Sequence, residues 1–455
     1  MTIWTPEIKS LPGPRYRAIA QGIGEAIAAG ELAPGAKLPP QRDLAWKLGV
    51  TLGTVTRAYQ LAESRGLVAG HVGRGTFVRT SGVASSAASG MVDLSRNAPL
   101  TVEHIEAMRV ALRRLAEAPS VEGLLGYMPS GGSLDHRRLG AEFMAQVGYK
   151  VDPERIIVTA GTQQALAAAL AATASPGVPV LAEALTYGGA KSAARMLRLD
   201  LHPVAMDGEG MRPDALDKAA RETSARVVVI VPTIQNPTAV TMSAARRAEI
   251  AAVARARDLT VIEDDIYGYL SLDRPAPIVT LAPERTIYLT GAAKCLAPGL
   301  RLGWIAAPAH LMGPLADAVY AMILSVPALT SEVLRGWMAD GTAARLLDAL
   351  RHELAARHEL AAPLLHGFRY QTEPLAFHVF LHLPPPWRAD DFTAAMRQRG
   401  VIIVPASSFA VAGVAAPEAV RISLAGAPDR QALTRALTLV RDLALQSPAA
   451  RDSVI

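Results

Sequence analysis

The chain has 455 residues, half of them apolar and 19% charged, with a formal net charge of +5 and a single cysteine, Cys295. That length exceeds one ordinary domain, so two or three are expected. One cysteine excludes an intrachain disulfide, and no apolar run reaches the ~18 residues of a membrane span. The opening residues MTIWTPEIKS hold no basic stretch followed by a long apolar core, so no secretory signal is expected and a cytoplasmic location is. Charge is spread unevenly: residues 1–80 hold ten Lys/Arg against five Asp/Glu, leaving 36 of each sign in the other 375. A basic head on a neutral body points to a polyanionic partner for the head alone.

In the head, Tyr16, Ile19, Ala20, Ile23 and Ile27 recur at helical spacing, and Gly30 lies just past the last. Pro39-Pro40 suits the start of a second helix, whose buried stripe is Leu44, Ala45 and Leu48. After Gly49-Val50, Thr51 is placed to cap a third helix running through Leu61 and Ala62. Two short helices about a Gly-containing turn make a helix-turn-helix, whose second helix enters a DNA major groove. Leu67-Val68 and Thr76-Phe77-Val78, joined through Gly73-Arg74-Gly75, predict a two-stranded wing.

The run LAPGAKLPPQRDLAWKLGVTLGTVTRAYQLAESRGLV, closed by GRGTFV, resembles the winged helix-turn-helix of the GntR family over its whole length. The resemblance implies a mostly α winged helix-turn-helix over residues 1–80, binding double-stranded DNA, with Arg42, Thr51, Thr54 and Arg74 at contact positions. The family usually carries an arginine directly after the Ser/Thr that opens the recognition helix. Here that residue is Leu52, so one guanine or phosphate contact is expected to be missing. A bidentate guanine contact is worth about 1–3 kcal/mol of discrimination. Residues 81–91, beginning SGVASSAASG, read as a flexible linker that spans at most ~35 Å and ties the heads to the geometry of the body.

In the body, residues 92–455, short apolar β-prone runs alternate with Ala/Leu-rich helical stretches. Ile156–Val158, Val178–Leu181, Arg226–Val231, Leu259–Ile262, Thr286–Leu289 and Gly303–Ala306 are the predicted strands. Such alternation implies an α/β domain with a mainly parallel central sheet, whose functional groups gather in the loops after the strands. The polar candidates fall in those loops. Gly161 and Thr162 can meet a phosphate at a helix N-terminus. Tyr187 can stack on a flat ring, Asn236 is an amide on a rigid turn, and Asp264 is an acid able to pair with a buried cation. Lys294 follows Gly291-Ala292-Ala293, and Arg301 follows Pro298-Gly299 one loop further on, as a phosphate-bearing Schiff-base cofactor requires. Each residue alone has an ordinary use as a cap, a packing group or a turn former. Together, and in this order, they indicate a cofactor site.

These local sequences resemble the fold-type I pyridoxal-phosphate enzymes of the aminotransferase class I/II group, over residues 92–445. A GntR-like head on such a body resembles the MocR subfamily of transcriptional regulators. That resemblance implies pyridoxal 5'-phosphate as cofactor, joined to Lys294 as an aldimine, with Asp264 on the ring nitrogen and Asn236 and Tyr267 on the ring hydroxyl. Tyr187 would stack on the ring, and Gly161, Thr162 and Arg301 would hold the phosphate. Tyr127 would reach the phosphate of a neighbouring subunit, making a head-to-tail homodimer, and Arg421 would clamp an amino acid's α-carboxylate. The large part of the body is expected at about residues 131–325, with a smaller α+β part from 92–130 plus 326–445. Neither a metal nor a membrane partner is expected. Three departures concern cofactor affinity and turnover: Gly291 and Ala293 stand where the family commonly has hydroxyls, Ala184-Leu185 replaces the usual acidic-proline pair before the stacking tyrosine, and Ala239 replaces the usual glycine after Asn-Pro-Thr. The expected function is a pyridoxal-phosphate-dependent regulator that senses an amino compound, or the cofactor itself. The alternatives are an active aminotransferase with a vestigial or autoregulatory head, and a DNA-binding protein whose body is a dimerisation scaffold.

Overall fold

The computed structural model describes residues 4–6, 14–33, 35–71, 75–78, 91–98, 102–119, 121–271 and 273–446. Packing divides the chain into two units, Met1–Ser89 and Gly90–Ile455. In the first, α1 (Arg15–Ala28), α2 (Gln41–Leu48) and α3 (Leu52–Ser64) are followed by an antiparallel pair, β1 (Val68–His71) and β2 (Gly75–Val78). Ile19, Ile23, Leu44, Val55 and Tyr59 interlock in their core. Gly49 ends α2 at a left-handed φ of 63°, and Thr51 caps α3 by accepting from the Thr54 N–H at 3.3 Å. The buried Tyr59 hydroxyl donates to the Pro39 carbonyl at 2.8 Å and so fixes the Pro-Pro turn that starts α2. Arg74 and residues 81–90 lie outside the described residues.

The second unit opens with β3 (Val92–Asp93), α4 (Val102–Glu117) and α5 (Leu134–Ala145). Strands and helices then alternate: β4 (Ile156–Thr159), α6 (Thr162–Thr173), β5 (Pro179–Glu183), α7 (Gly188–Met196) and β6 (Asp200–Val204). A short antiparallel pair, β7 (Met206–Asp207) and β8 (Gly210–Met211), precedes α8 (Pro213–Thr223) and β9 (Val227–Ile230). Next come α9 (Ala244–Ala256), β10 (Thr260–Asp264), α10 (Ile278–Leu281), β11 (Thr286–Gly291) and β12 (Gly303–Ala306). Seven of these strands form one sheet in the order β4-β12-β11-β10-β9-β5-β6, parallel except for β12. Helices cover both faces: α6, α7 and α11 (Met312–Ile323) pack on one, α8 and α9 on the other. Inner strands buried on both faces can therefore be apolar throughout, as Val227-Val228-Val229-Ile230 is.

The reversed strand β12 brings the site together. Because β12 returns antiparallel to β11, residues 292–302 stay at one end of the sheet. The register pairs Gly303 with Gly291 on one side and with Thr159 on the other. The loop after β4 is thus set beside the loop after β11.

Helices α12 (Ala328–Ala339) and α13 (Thr342–Leu365) lead to a second, antiparallel sheet. It is built from β13 (Tyr370–Gln371), β14 (His378–His382), β16 (Val404–Pro405) and β17 (Ala419–Ser423), in the order β13-β14-β17-β16. Its core packs on α14 (Ala389–Gln398) and α15 (Arg430–Ala444). The two-residue β15 (Val401–Ile402) pairs in parallel with β3 as a separate two-stranded sheet, and the Leu94 carbonyl accepts from the Ser423 N–H of β17 at 2.9 Å.

Candidate functional site

A cavity of about 450 Å³ opens at the strand ends, lined by Thr162, Tyr187, Asn236, Asp264, Tyr267, Lys294 and Arg421, and walled by residues 95–98. Lys294 stands three residues past β11, and its Nζ donates to the Asn97 carbonyl. Burial, with Arg421 nearby, lowers its pKa to about 8 against the opposing pull of Asp264.

Asp264 is the last residue of β10 rather than part of the following loop. Burial raises its pKa to about 7, the Ile266 N–H opposing and the Asp265 charge adding to the rise. Its Oδ1 is buried with no hydrogen-bond partner. The buried ion pair expected of this acidic run belongs to its neighbour: Asp265 pairs with Arg274 and accepts from the Tyr288 hydroxyl at 2.6 Å. Asp264 is left as an acid facing the cavity.

Tyr267 is buried, and its oxygen accepts from Asn97 Nδ2 at 3.0 Å. Asn97 Nδ2 also lies 2.9 Å from His378 Nδ1, and His378 Nε2 lies 3.2 Å from the Gln235 carbonyl. The carbonyl requires the hydrogen on Nε2, so Nδ1 is the acceptor. Burial, with Arg421 nearby, pushes the His378 pKa down to about 3, which keeps the ring neutral. Both amide hydrogens of Asn97 are therefore occupied, and Tyr267 keeps its own O–H to donate. Burial pushes the Tyr267 pKa up to about 12, so that proton stays in place at neutral pH.

Arg421, the middle residue of β17, is buried. Its Nη1 donates to Asn236 Oδ1 at 2.8 Å, its Nη2 to the Ser95 carbonyl, and its guanidinium lies 4.9 Å from the Phe409 ring centroid. Nε is buried without a partner, and no carboxylate among the described residues pairs with this cation. Burial pushes its pKa down. An uncompensated buried guanidinium is costly unless an anion joins it.

Across the cavity, Gly161 precedes α6 at a φ of 90°, and Thr162 opens the helix. A Cβ on Gly161 would lie 2.7 Å from Arg301 Nη2, so the bare glycine is what lets the guanidinium approach. Arg301 itself donates to the Ala160 carbonyl at 3.1 Å. A Cβ on Gly189 would likewise run into the Tyr187 ring. Ala239, where a glycine is usual, holds a left-handed φ of 60°, which costs an alanine on the order of 1 kcal/mol.

Tyr127 is 84% exposed and does not line its own chain's cavity. In the head, the Thr51 and Thr54 hydroxyls lie 2.9 Å apart, with Arg42 and Leu52 exposed on neighbouring helices. Sequence reasoning missed Ser95, Asn97, His378 and Gln235. The single cue to the first two was the polar run Ser95-Arg96-Asn97 behind the buried Leu94.

The family model for aminotransferase class I and II matches residues 89–439. The chain belongs to that family. Residues 15–78 match the model of the bacterial regulatory proteins, gntR family, so the aminotransferase-type body carries a DNA-binding head, the layout of the MocR subfamily. Aminotransferases of this class depend on pyridoxal phosphate. Along its length the chain is similar to the uncharacterized HTH-type transcriptional regulator YdeF of Bacillus subtilis, 26% identical over 446 residues, covering 97% of this chain and 96% of that one. It is also similar to the HTH-type pyridoxine biosynthesis transcriptional regulator PdxR of Corynebacterium glutamicum, 28% identical over 364 residues, 76% of this chain and 78% of that one. Among solved structures, LysN, the α-aminoadipate aminotransferase of Thermus thermophilus, matches with a TM-score of 0.71 and 26% identity over 80% of this chain and 95% of that one. No single helix among the described residues is long and apolar enough to cross a membrane.

Proposed function

We propose that the chain is a transcriptional regulator that holds pyridoxal 5'-phosphate in this cavity, senses an amino compound there, and acts on DNA through its gntR-type head. One observation carries the reading. The two cations facing the cavity, Lys294 and Arg421, each hold a backbone carbonyl of the segment that leads to the head: Asn97 for Lys294 and Ser95 for Arg421.

The cofactor fits the donors present. Asp264 Oδ1, buried and unpartnered, suits a protonated ring nitrogen. Gly161, Thr162 and Arg301 offer a helix N-terminus and a forked cation to a phosphate. When bound, the cofactor supplies a carbonyl that exchanges between amines and a ring that withdraws electrons from them. Lys294, with its pKa near 8, presents a partly neutral amine at pH 7–8. Tyr267, with its O–H free to donate, and Asn236 would hold the ring hydroxyl, and Tyr187 would stack on the ring. Arg421 takes the carboxylate of an incoming amino acid, which relieves its unneutralised burial. An amino compound that took the place of Lys294 on the cofactor would free the lysine amine and engage Arg421, changing the hold of both on the carbonyls of residues 95 and 97. The segment then rearranges, and residues 81–91 carry that change toward the head.

A homodimer is supported by Tyr127, exposed and unused within its own chain, and by the exposed apolar residues Leu125, Tyr320, Met322, Leu324 and Leu329. The Met128 N–H donates to Ser325 Oγ at 2.8 Å, which ties the two stretches together. Residue numbers divide the body, in this reading, into a large part at about 131–325 and a small part at 92–130 plus 326–445.

Lys294→Ala tests the proposal. The absorbance of attached cofactor should vanish, and so should any change in DNA affinity on adding an amino compound, a coupling expected to be worth about 5- to 150-fold. An effector response that survives in Lys294→Ala overturns sensing through this lysine. Product formation with a 2-oxo acid by the wild-type chain would favour turnover as a second activity.

A further inference from the structure

The cavity carries more positive charge than the roles above use. Asp264 is the one acid among its described lining residues, against Lys294, Arg421 and Arg96. Asp264 answers the ring nitrogen, Lys294 the exchanging amine and Arg421 an α-carboxylate. Arg96 has no assignment.

Its side chain is 85% exposed, and its carboxylate contact is Asp93, with Oδ2 3.8 Å from Nε. The other Asp93 oxygen is occupied by the Ser95 N–H and hydroxyl, at 2.9 and 2.5 Å. So long and exposed a contact holds an arginine weakly. The backbone around it, in contrast, is fixed. Three successive carbonyls are held by side chains: Ser95 by Arg421, Arg96 by the Ser423 hydroxyl at 2.8 Å, and Asn97 by Lys294. The hold by Ser423 does not depend on the two ligand-facing cations, so Arg96 stays at the rim when they take up ligand, with an exposed guanidinium to present.

We infer that the amino compound is an α-amino acid whose side chain ends in a second anionic group, and that Arg96 receives that group. The inference rests on the reading of Lys294 and Arg421 given above and specifies the ligand class. A guanidinium stays charged at every physiological pH and forks onto a carboxylate or a phosphate. An ion pair made by so exposed a guanidinium changes affinity by about 1.5- to 5-fold.

The test titrates the full-length, cofactor-loaded chain with L-glutamate, L-2-aminoadipate, O-phospho-L-serine, L-glutamine and L-norleucine, reading the absorbance of the bound cofactor. At least one acidic ligand should act at a concentration about 1.5- to 5-fold lower than the uncharged pair. The phosphoserine and dicarboxylate arms decide between phosphate and carboxylate. Arg96→Gln should bring the acidic ligands to the level of the uncharged ones, and Arg96→Lys should retain part of the preference. Equal responses to acidic and uncharged ligands, or a preference that survives Arg96→Gln, overturn the ligand class while leaving the sensing reading intact. A cofactor-loaded chain that answers none of the five, nor any other α-amino acid or simple amine, overturns the sensing reading and this inference with it.

Discussion

Gly291→Ser puts a hydroxyl where related aminotransferases commonly have one, and it should weaken the protein. Gly291 closes β11 directly opposite Gly303 of β12. A Cβ on Gly291 would lie 2.7 Å from the Leu302 carbonyl oxygen and 3.1 Å from Gly303 Cα. One on Gly303 would meet the Gly161 backbone at 2.9 and 3.0 Å. These obstacles are main-chain atoms and cannot swing aside, so the strand must shift. Forcing atoms into a filled site costs about 1–3 kcal/mol. At roughly 2 °C per kcal/mol for a unit of this size, the melting midpoint should fall by roughly 2–6 °C. Ala293→Ser supplies the other missing hydroxyl at a position that already carries a Cβ and should cost less. The assay is thermal melting of both variants beside the wild type, at one scan rate and without cofactor, so that ligand binding does not add to the midpoint. A Gly291→Ser chain that melts with the wild type would refute the claim that backbone crowding, and not relaxed need for the cofactor, keeps residue 291 a glycine.

The protonation of the cavity makes two further predictions. Because burial and Arg421 hold Lys294 near a pKa of about 8, attachment of pyridoxal phosphate to the free chain should speed up about tenfold per pH unit below 8 and level off above it. Stopped-flow absorbance reads this, and a rate still climbing toward 10.5 argues against the depressed value. Asp264 has a folded pKa of about 7, above its unfolded value, so its contribution to stability is full below the unfolded pKa and is lost as pH rises through 7. In the cofactor-free chain at pH 8, Asp264→Asn should accordingly melt no lower than the wild type while binding the cofactor more weakly; a lower melting point contradicts it. In the head, Leu52 is 44% exposed at the first residue of α3. Leu52→Arg should tighten DNA binding and, if the new cation meets a phosphate, steepen the slope of log K against log salt by about 0.9, which anisotropy titrations over a salt series measure.

Legibility from sequence followed the physics of each element. Strands β5 and β9–β12 are inner strands and β4 is an edge strand buried along its whole length, and each appears as an apolar run closed by loop residues. Strand β6, Asp200–Val204, does not, because it is the sheet's solvent-facing edge: Asp200 and Pro203 are exposed, and Pro203 is tolerated there since one side of the strand needs no ladder bonds. The reversal of β12 has no residue signature at all, yet it sets Arg301 beside Gly161. In the site, Thr162, Tyr187, Asn236, Asp264, Lys294 and Arg301 all stand at or just beyond a strand end, which a pattern of runs and loops can locate.

Residues 95–97 could not be found that way, and the reason bears on how the protein is tested. Ser95 and Asn97 meet Arg421 and Lys294 through backbone carbonyls, which every residue possesses, so no side-chain type marks them. The Asn97 side chain does act, but on His378, 281 residues away, and on Tyr267, 170 away. No local pattern spans such distances. It follows that truncating Ser95 leaves its hold on Arg421 formally intact, and that Asn97→Ala removes the bonds to His378 and Tyr267 while keeping the carbonyl on Lys294. The two kinds of contact are thus separable. If the carbonyls carry the signal, Asn97→Ala weakens the cofactor's ring contact at Tyr267 but preserves the effector's influence on DNA affinity once cofactor is saturating. Loss of that influence in saturated Asn97→Ala would move the signal from the backbone to the amide.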